Sequence, residues 1–385
     1  MSKLSQTGAA IVGVGMTDIT RASGRSPTRL AYEAISAAAQ DAGVEPKSID
    51  GIIPYMQGTT AEDVMGMFDL RDVRFTAVPH MGGAGQVAGL RLAAMAIEAR
   101  QAEYVVCFIA RNGASGPKVH QRVTGLAGQL FRQEMEWVHG MNTPAQWYSL
   151  QCRRHMHDYG TSREALGAVA LTMRAHAQLN PRAQMYGKPL TLEEYLAGRP
   201  IADPYWLFDC CPESDGACAV IVTSMDRARD GRHAPIRIAG SAEGHPDSAD
   251  YIAGRPDFYN IGLSKAAPRA LGEAGIGLED IDVALIYDCF TFEVIQQLEE
   301  LGACPRGEGG SFVLDGNIAL HGSFPVNPHG GLLSEGHLGG MNHIAEAVSQ
   351  LRGASGGRQI EAAEVAVVTG WGDMGDGSLA VLART

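Results

Sequence analysis

The sequence has no long apolar run. No segment approaches the roughly 18 uninterrupted apolar residues of a membrane span, and the first residues, MSKLSQTGAAIVGVG, include one lysine but no apolar stretch of signal-peptide length. We therefore expect neither a membrane-spanning helix nor a secretory signal. A cytoplasmic protein is predicted.

Clustered basic charge is also absent. The formal net charge at pH 7 is -12, and no basic run is longer than Arg153-Arg154. Surfaces that bind nucleic acid need grouped basic side chains to neutralise phosphates. This absence excludes nucleic acid as a partner and favours small molecules or proteins.

Paired cysteines and a complete dinucleotide fingerprint are missing too. The seven cysteines are scattered, and Cys210 and Cys211 are adjacent rather than spaced as in Cys-x-x-Cys. We expect no disulfide framework and no metal site, which fits a reducing cytoplasm. Gly13 and Gly15 lack the third glycine and the later acidic partner of a nicotinamide site, so that cofactor is excluded.

The chain does contain a regular alternation of strand and helix signals. AAIVGVG is typical of a buried strand, Ser26 and Pro27 supply the N-cap and first-turn proline of a helix, and Gly43 supplies its end. A chain of 385 residues is long enough for two to three domains or for one domain duplicated. An α/β protein is predicted.

Two stretches of the sequence recur in the same order. Segment 41–55, DAGVEPKSIDGIIPY, returns as 273–287, EAGIGLEDIDVALIY, with Tyr55 matched to Tyr287. A double glycine opens a predicted helix at Gly82 and again at Gly339, and each helix leads into an apolar strand. This order predicts a duplicated fold.

A predicted helical insertion, about 113–203, separates the repeated stretches. It contains FRQEMEWVHGMNTPAQWYSLQ and the amphipathic REALGAVALTMRAHAQL. An excursion of this length from a layered core usually covers a functional site. We expect the insertion to lie over the site.

Five motifs together resemble the thiolase superfamily over nearly the whole chain. They are RHMHDYGTSREALGAVALTMRAHAQLNP, PESDGACAVIV, YDCFTFEVIQQLEELG, NPHGGLLSEGHLGGMNHIAEAVSQLRG and VTGWGDMGDG. The resemblance is to the lipid-transfer-protein-like branch, related to sterol carrier protein thiolases. It implies a five-layered α-β-α-β-α fold of two βαβαβαββ halves, residues 1–235 with the insertion and residues 236–385.

The resemblance also indicates where the reactive groups should lie. The family's nucleophilic cysteine falls at about Gly82, next to Gly83, and no cysteine, serine or threonine lies between residues 78 and 99. The histidine of the family's Gly-His-Pro motif matches His337, and the residue of its NEAF or HDCF motif matches Tyr287. The second family cysteine falls at about Thr369, so both sulfur groups of thiolysis are missing.

Without an acyl acceptor, the chemistry that fits is retro-aldol cleavage of a β-hydroxyacyl-CoA thioester through an enolate. We expect His337 to donate to the thioester oxygen and Tyr287 to act as acid and base on the β-hydroxyl, or the reverse. Tyr287 is also open to a purely structural reading as a strand-end aromatic, like Tyr55. Coenzyme A enters as part of the substrate, with no covalently bound cofactor.

Other residues are candidates for substrate contact or for structure. The glycines proposed to approach substrate are Gly82, Gly83, Gly330, Gly331 and Gly372.

His329 is predicted either to contact substrate or to satisfy a loop carbonyl, and Asp373 to be a base or a turn aspartate. His155 and His157 are predicted to be a solvated pair. Cys289 is predicted to be a small buried filler, with a relocated nucleophile as the alternative.

The resemblance extends to thiolase-like steroid side-chain aldolases, which share Tyr287 and the missing cysteine but have a tyrosine where this chain has His337. It implies a homodimer and a small partner of the zinc-ribbon and OB-fold type. Two alternatives stay open: a thiolase-type acyltransferase with an unusual nucleophile, and a non-catalytic acyl-CoA or lipid binder. The acyl chain and the released thioester, acetyl-CoA or propionyl-CoA, are not determined by the sequence.

Overall fold

The computed structural model describes residues 8–123, 129–247, 254–372 and 375–385. The strands in these ranges are β1 (Ala9–Met16), β2 (Gly51–Pro54), β3 (Phe75–Thr76), β4 (Tyr104–Asn112), β5 (Pro200–Ala202), β6 (Tyr205–Trp206), β7 (Asp215–Ser224), β8 (Ile236–Gly244), β9 (Val283–Leu285), β10 (Val365–Trp371) and β11 (Gly377–Arg384). The helices are α1 (Pro27–Ala42), α2 (Ala61–Phe68), α3 (Gly85–Glu98), α4 (Val119–Arg122), α5 (Gln129–Met135), α6 (Pro144–Tyr159), α7 (Arg163–Ala177), α8 (Leu192–Leu196), α9 (Met225–Ala228), α10 (Leu263–Ala274), α11 (Thr291–Leu301), α12 (Gly309–Leu314), α13 (Gly331–Ser334) and α14 (Met341–Leu351).

The sheet order confirms the duplication. Nine strands of the described ranges follow the order β3-β2-β4-β7-β1-β8-β11-β10-β9. Reading outward from the β1–β8 junction, β1, β7, β4 and β2 of the first half correspond to β8, β11, β10 and β9 of the second. The counterpart of β3 in the second half is only a single parallel bridge between Ala284 and Val326.

Helices cover both faces and fill the centre, which gives the five predicted layers. One core joins α1 and α2 to the first half of the sheet, and another joins α7, α10 and α11 to the second half. Between them, α3 and α14 pack together against strands of both halves. The two half-sheets are also joined at one edge, where Ala10 and Ile11 of β1 pair with β8. The predicted division at residue 235 stays a prediction.

The residues predicted to begin and end α1 have those roles in the structure. Ser26 accepts a hydrogen bond from the backbone N–H of Arg29, Pro27 begins α1, and Gly43 ends it with a φ of 71°. Only glycine adopts this left-handed conformation without strain, which explains the stop. In the described ranges no helix is long and apolar enough to cross a membrane.

Asp50 and Asp282, which occupy matched positions in the two repeated segments, make equivalent hydrogen bonds. The Asp50 carboxylate accepts hydrogen bonds from the backbone N–H groups of Glu103 and Tyr104 at the start of β4. Asp282 accepts from Glu364 and Val365 at the start of β10. Each carboxylate therefore fixes the position of the neighbouring strand.

Asp282→Ala is expected to lower the free energy of unfolding by about 2 kcal/mol, because two backbone donors lose a charged acceptor. Urea denaturation measures the change. Asp72→Ala, which removes a surface pair with Arg74, is the control and should change stability by less than about 1 kcal/mol. Equal effects of the two substitutions would contradict this role for Asp282.

Candidate active site

A cavity of about 300 Å³ lies where β4 and β10 end and under the helical insertion. In open α/β sheets, ligands bind at the carboxyl ends of strands. The cavity is lined by Tyr55, Gln57, Gly83, Arg111, Val119, Arg122, Val123, Thr143, Pro144, Ala145, Tyr148, Ile201, Cys210, Cys211, Pro212, Glu213, Tyr287, Cys289, Phe290, His337 and Trp371. The insertion supplies one wall through α4, the start of α6 and β5.

Tyr287 reaches this cavity from the segment that follows β9. Its backbone N–H donates to Thr369 Oγ1 at 3.0 Å, and its carbonyl accepts from Gln297 Nε2 at 2.6 Å. The Thr369 hydroxyl donates in turn to Gln297 Oε1 at 2.6 Å. These contacts fix the backbone of Tyr287, so its phenol projects into the cavity from a rigid base. Thr369, at the expected place of the second family cysteine, has a positioning contact instead.

Gly83 explains how the phenol fits. A Cβ added at residue 83 would overlap Tyr287 Cζ and Oη and the carbonyl oxygen of Trp371. The tyrosine therefore occupies the space that a side chain at residue 83 would need. The preceding Gly82 is buried and has a φ of 52°, a conformation that favours glycine.

His337 contacts Tyr287 and Arg111. Its Nε2 lies 3.2 Å from Tyr287 Oη, and its Nδ1 lies 2.9 Å from Arg111 Nη1. Its backbone N–H donates to Ser214 Oγ at 3.0 Å. Burial, followed by the positive charges of Arg111 and Arg122, lowers the pKa of His337 well below its ordinary value. The imidazole is therefore neutral at physiological pH.

The NPHGG segment lies behind the cavity rather than in its wall. His329 is completely buried, with Nε2 3.6 Å from Glu335 Oε2. A Cβ at Gly331 would overlap the Asp288 carboxylate, and a Cβ at Gly330 would lie 2.8 Å from Cβ of Ala177. His329, Gly330 and Gly331 are thus not brought to Tyr287 and His337, and their predicted substrate contact has no support in this placement.

Asp288 is the reason that this segment is tightly packed. It accepts hydrogen bonds from the backbone N–H groups of Leu332 and Leu333 at the start of α13, and it lies 3.1 Å from His343 Nε2. Sequence reasoning missed this carboxylate. Its signal was its place between Tyr287 and Cys289, but alternation along an extended chain also points it away from them.

The structure describes only part of the turn that follows β10. The carbonyl of Gly372 accepts a hydrogen bond from Tyr148 Oη at 3.2 Å, and Gly372 itself does not line the cavity. Asp373 lies outside the described residues. Tyr148 and Trp371, whose rings meet edge to face at 5.6 Å, form the aromatic wall next to this turn.

The expectation of a solvated histidine pair is wrong for His155. Its ring is buried, with Nδ1 2.7 Å from Thr161 Oγ1 and Nε2 3.0 Å from Glu299 Oε2. His157 is exposed as predicted. One residue of the pair faces the core because α6 is covered on one side by α11, and a buried carboxylate on α11 satisfies the imidazole.

Three cysteines line the cavity, Cys210, Cys211 and Cys289, and the sequence indicated only Cys289 as a candidate. Cys211 donates its backbone N–H to the carbonyl of Cys289 at 2.9 Å, and Cys289 Sγ lies 2.7 Å from Glu293 Oε2. Burial raises the pKa of Cys210 and Cys211 well above that of an ordinary thiol. These two are therefore protonated walls of the cavity rather than nucleophiles.

Arg111 is the second residue that sequence reasoning missed. It stands near the carboxyl end of β4, opposite Gly216 of β7. A charged residue that directly follows a run of buried strand residues was the available signal. Tyr287 offers a phenol for proton transfer, His337 offers an N–H donor for a developing negative charge, and Arg111 contacts the His337 ring.

Comparison with known proteins agrees with this geometry. Residues 244–384 match the thiolase C-terminal domain-like family. The chain is 40% identical to a steroid side-chain-cleaving aldolase of Thermomonospora curvata, over 94% of this chain and 95% of that protein. It is also 40% identical to the 17-hydroxy-3-oxo-4-pregnene-20-carboxyl-CoA lyase of Mycobacterium tuberculosis, over 90% and 92% of the two chains.

A solved structure shows the same fold. The Ltp2-ChsH2(DUF35) aldolase superposes with a TM-score of 0.92 at 37% identity, and the match covers 99% of both chains.

Proposed function

Since the chain belongs to the thiolase superfamily and is an acyl-CoA lyase of the aldolase kind, we propose that Tyr287 and His337 carry out retro-aldol cleavage of a β-hydroxyacyl-CoA thioester in this cavity. The observation that carries the proposal is the position of the Tyr287 phenol. It fills the space of a side chain at residue 83, next to Gly82, where the resemblance places the family's nucleophile.

The reaction proceeds without an acyl-enzyme. Tyr287, as the phenolate, accepts the proton of the β-hydroxyl, and the bond between the α and β carbons breaks. The β carbon leaves as a ketone or aldehyde, and the electron pair forms a thioester enolate. Tyr287 then returns the proton to the α carbon, which restores the phenolate and gives the shortened acyl-CoA.

His337 stabilises the enolate in this scheme. Its N–H donates to the thioester oxygen as negative charge develops there. A fixed donor of this kind lowers the barrier by about 3 kcal/mol. Coenzyme A is part of the substrate thioester, and no covalently bound cofactor takes part.

The walls of the cavity favour a bulky apolar acyl group. Tyr148, Phe290 and Trp371 supply aromatic faces, and Ile201 supplies an aliphatic one. The relative named as a 17-hydroxy-3-oxo-4-pregnene-20-carboxyl-CoA lyase has a steroid substrate with a hydroxyl and a thioester. We propose a steroid-type β-hydroxyacyl-CoA for this chain as well.

A partner and an oligomer belong to the same proposal. The solved neighbour is named as a complex of Ltp2 with the DUF35 protein ChsH2. We propose that this chain likewise works with a small partner of the zinc-ribbon and OB-fold type, as a homodimer in the cytoplasm. The free state of all seven cysteines supports that compartment.

The test is a product assay with the purified protein, alone and with a co-encoded small partner. A panel of β-hydroxyacyl-CoA and β-ketoacyl-CoA thioesters is supplied first without and then with free coenzyme A, and products are identified by mass spectrometry. Release of a ketone or aldehyde with a shortened acyl-CoA is expected. Cleavage of β-ketoacyl substrates alone, and only with free coenzyme A, would contradict the proposal.

One observation favours a second candidate, a thiolase-type acyltransferase. Cys289 lines the cavity two residues after Tyr287, and its Sγ contacts Glu293. For an aldolase, Cys289→Ala is expected to keep kcat/KM within the same order of magnitude, since no covalent bond forms at the sulfur. Loss of all turnover in a variant that still unfolds at the wild-type temperature would favour the acyltransferase instead.

A further inference from the structure

His337 is contacted at both ring nitrogens, and the two contacts are chemically different. Arg111 Nη1 lies 2.9 Å from Nδ1, and Tyr287 Oη lies 3.2 Å from Nε2. A phenol oxygen can donate or accept a hydrogen bond. A guanidinium has only N–H donors and keeps its charge at any ordinary pH.

This difference determines the tautomer. Because Arg111 donates, Nδ1 must be the nitrogen with the free electron pair. A neutral imidazole has one donor and one acceptor nitrogen, so Nε2 carries the proton. That proton points toward Tyr287 and the reaction space.

We propose that Arg111 is a positioning residue of this site, which holds His337 as the neutral imidazole protonated at Nε2. The inference rests on the proposed function and adds a division of roles to it. His337 can only donate, which suits the thioester oxygen, and Tyr287 is the group that accepts and returns the proton. The alternative assignment, with His337 as the base, is then excluded.

The surroundings of Arg111 keep it in place. The backbone N–H of Gly113 donates to the carbonyl of Ser214 at 2.9 Å, and a Cβ at Gly113 would lie 3.2 Å from Arg111 Nε. Ser214 also accepts the backbone N–H of His337 through its hydroxyl. Contacts of Ser214, just before β7, with the end of β4 and with the segment before α14 thus fix the backbone near both members of the pair.

The charged and titratable groups that face His337 agree with a neutral ring. Arg111 comes from β4, Arg122 from α4, Tyr287 from the segment after β9 and His343 from α14. Glu213 lies 3.2 Å from Arg122 and compensates that charge. Burial and then the two cations disfavour an imidazolium, in line with the lowered pKa of His337.

The test reads the tautomer directly, by NMR of the protein labelled with nitrogen-15 at histidine. Comparison with His337→Gln assigns the His337 signals. We expect the wild-type ring to show a protonated Nε2 and a bare Nδ1, and to keep this pattern below pH 6.5. In Arg111→Met the ring should populate the Nδ1-protonated form and become charged at a higher pH.

Activity provides the second readout. In Arg111→Met, kcat is expected to fall by more than about 10-fold, because part of the population has the wrong tautomer, with little change in KM. Arg111→Lys, which keeps a charged donor, should recover part of both the kcat and the NMR pattern. If Arg111→Met does not fold, Arg111→Lys alone provides the test.

A wild-type ring protonated at Nδ1, or a tautomer unchanged in both Arg111 variants, would overturn the inference. The tautomer is measured without substrate. If it is found as expected but no thioester is cleaved, the role of Arg111 in fixing the ring stands and the proposed function fails.

Discussion

Tyr287→Phe is expected to lower kcat/KM by about 100- to 10,000-fold, the range that a positioned acid or base contributes. The change removes only the hydroxyl, and the backbone contacts of residue 287 with Thr369 and Gln297 remain. Substrate affinity should therefore change little. Steady-state kinetics on the β-hydroxyacyl-CoA identified in the product assay give both values.

Tyr205→Phe is the matched control for this change. Tyr205 is completely buried, its ring stacks on Phe290 of the cavity wall, and its hydroxyl makes no hydrogen bond to any described residue. Removing that hydroxyl should leave kcat/KM unchanged. Near wild-type turnover in Tyr287→Phe would show that the phenol is a strand-end aromatic without a catalytic role.

Gly83→Ala is the second change for which a large effect is expected. The new methyl group would overlap the Tyr287 phenol and the Trp371 carbonyl oxygen, so the phenol must move. A shift of about 1 Å in a reacting group lowers the rate by about 100-fold. Overpacking should also lower the free energy of unfolding by about 1–3 kcal/mol. Kinetics and urea denaturation measure the two effects.

Gly272→Ala provides the control for this substitution. Gly272 lies on the exposed side of α10, and a Cβ there would meet no atom within 4 Å. It should leave kcat unchanged and raise stability slightly, since alanine favours a helix more than glycine does. In the Tyr287→Phe background, Gly83→Ala should lower kcat much less than it does alone, because both changes act through one phenol. Full additivity would contradict the steric account.

Much of the fold could be predicted because its signals are local or repeated. The caps of α1 were readable from Ser26, Pro27 and Gly43, and the repeated Asp50 and Asp282 indicated two equivalent strands. Helix caps and repeated segments depend on residues that are close in the chain, and the structure confirms them. The resemblance added the layered arrangement that periodicity alone does not supply.

The candidate site could be predicted only in part, since its contacts join distant segments. Tyr287 and His337 were expected to share a site, and they lie within hydrogen-bond distance. The contact of Arg111 with His337 spans 226 residues, and the sequence carries no signal for such a pairing. His155 was predicted to be solvated from its spacing to His157, and nothing local indicated its buried partner, Glu299, which lies 144 residues away in the chain.

The absence of a nucleophile at about Gly82 can be interpreted only with the structure. In the sequence, glycine there is only a missing cysteine. In the structure, the space of a side chain at the adjacent residue 83 is filled by a phenol from the other half of the fold. A side chain at residue 83 and the Tyr287 phenol exclude each other, which supports a reaction without a nucleophile at this turn.

Cleavage through an enolate, without an acyl-enzyme, is tested most directly by running one reaction in D2O, quenching it, and analysing products and intact protein together by mass spectrometry. The predicted result is a ketone or aldehyde, a shortened acyl-CoA with deuterium on the carbon next to the thioester, and a protein of unchanged mass. A protein that carries the acyl group, together with cleavage that requires free coenzyme A, would contradict it.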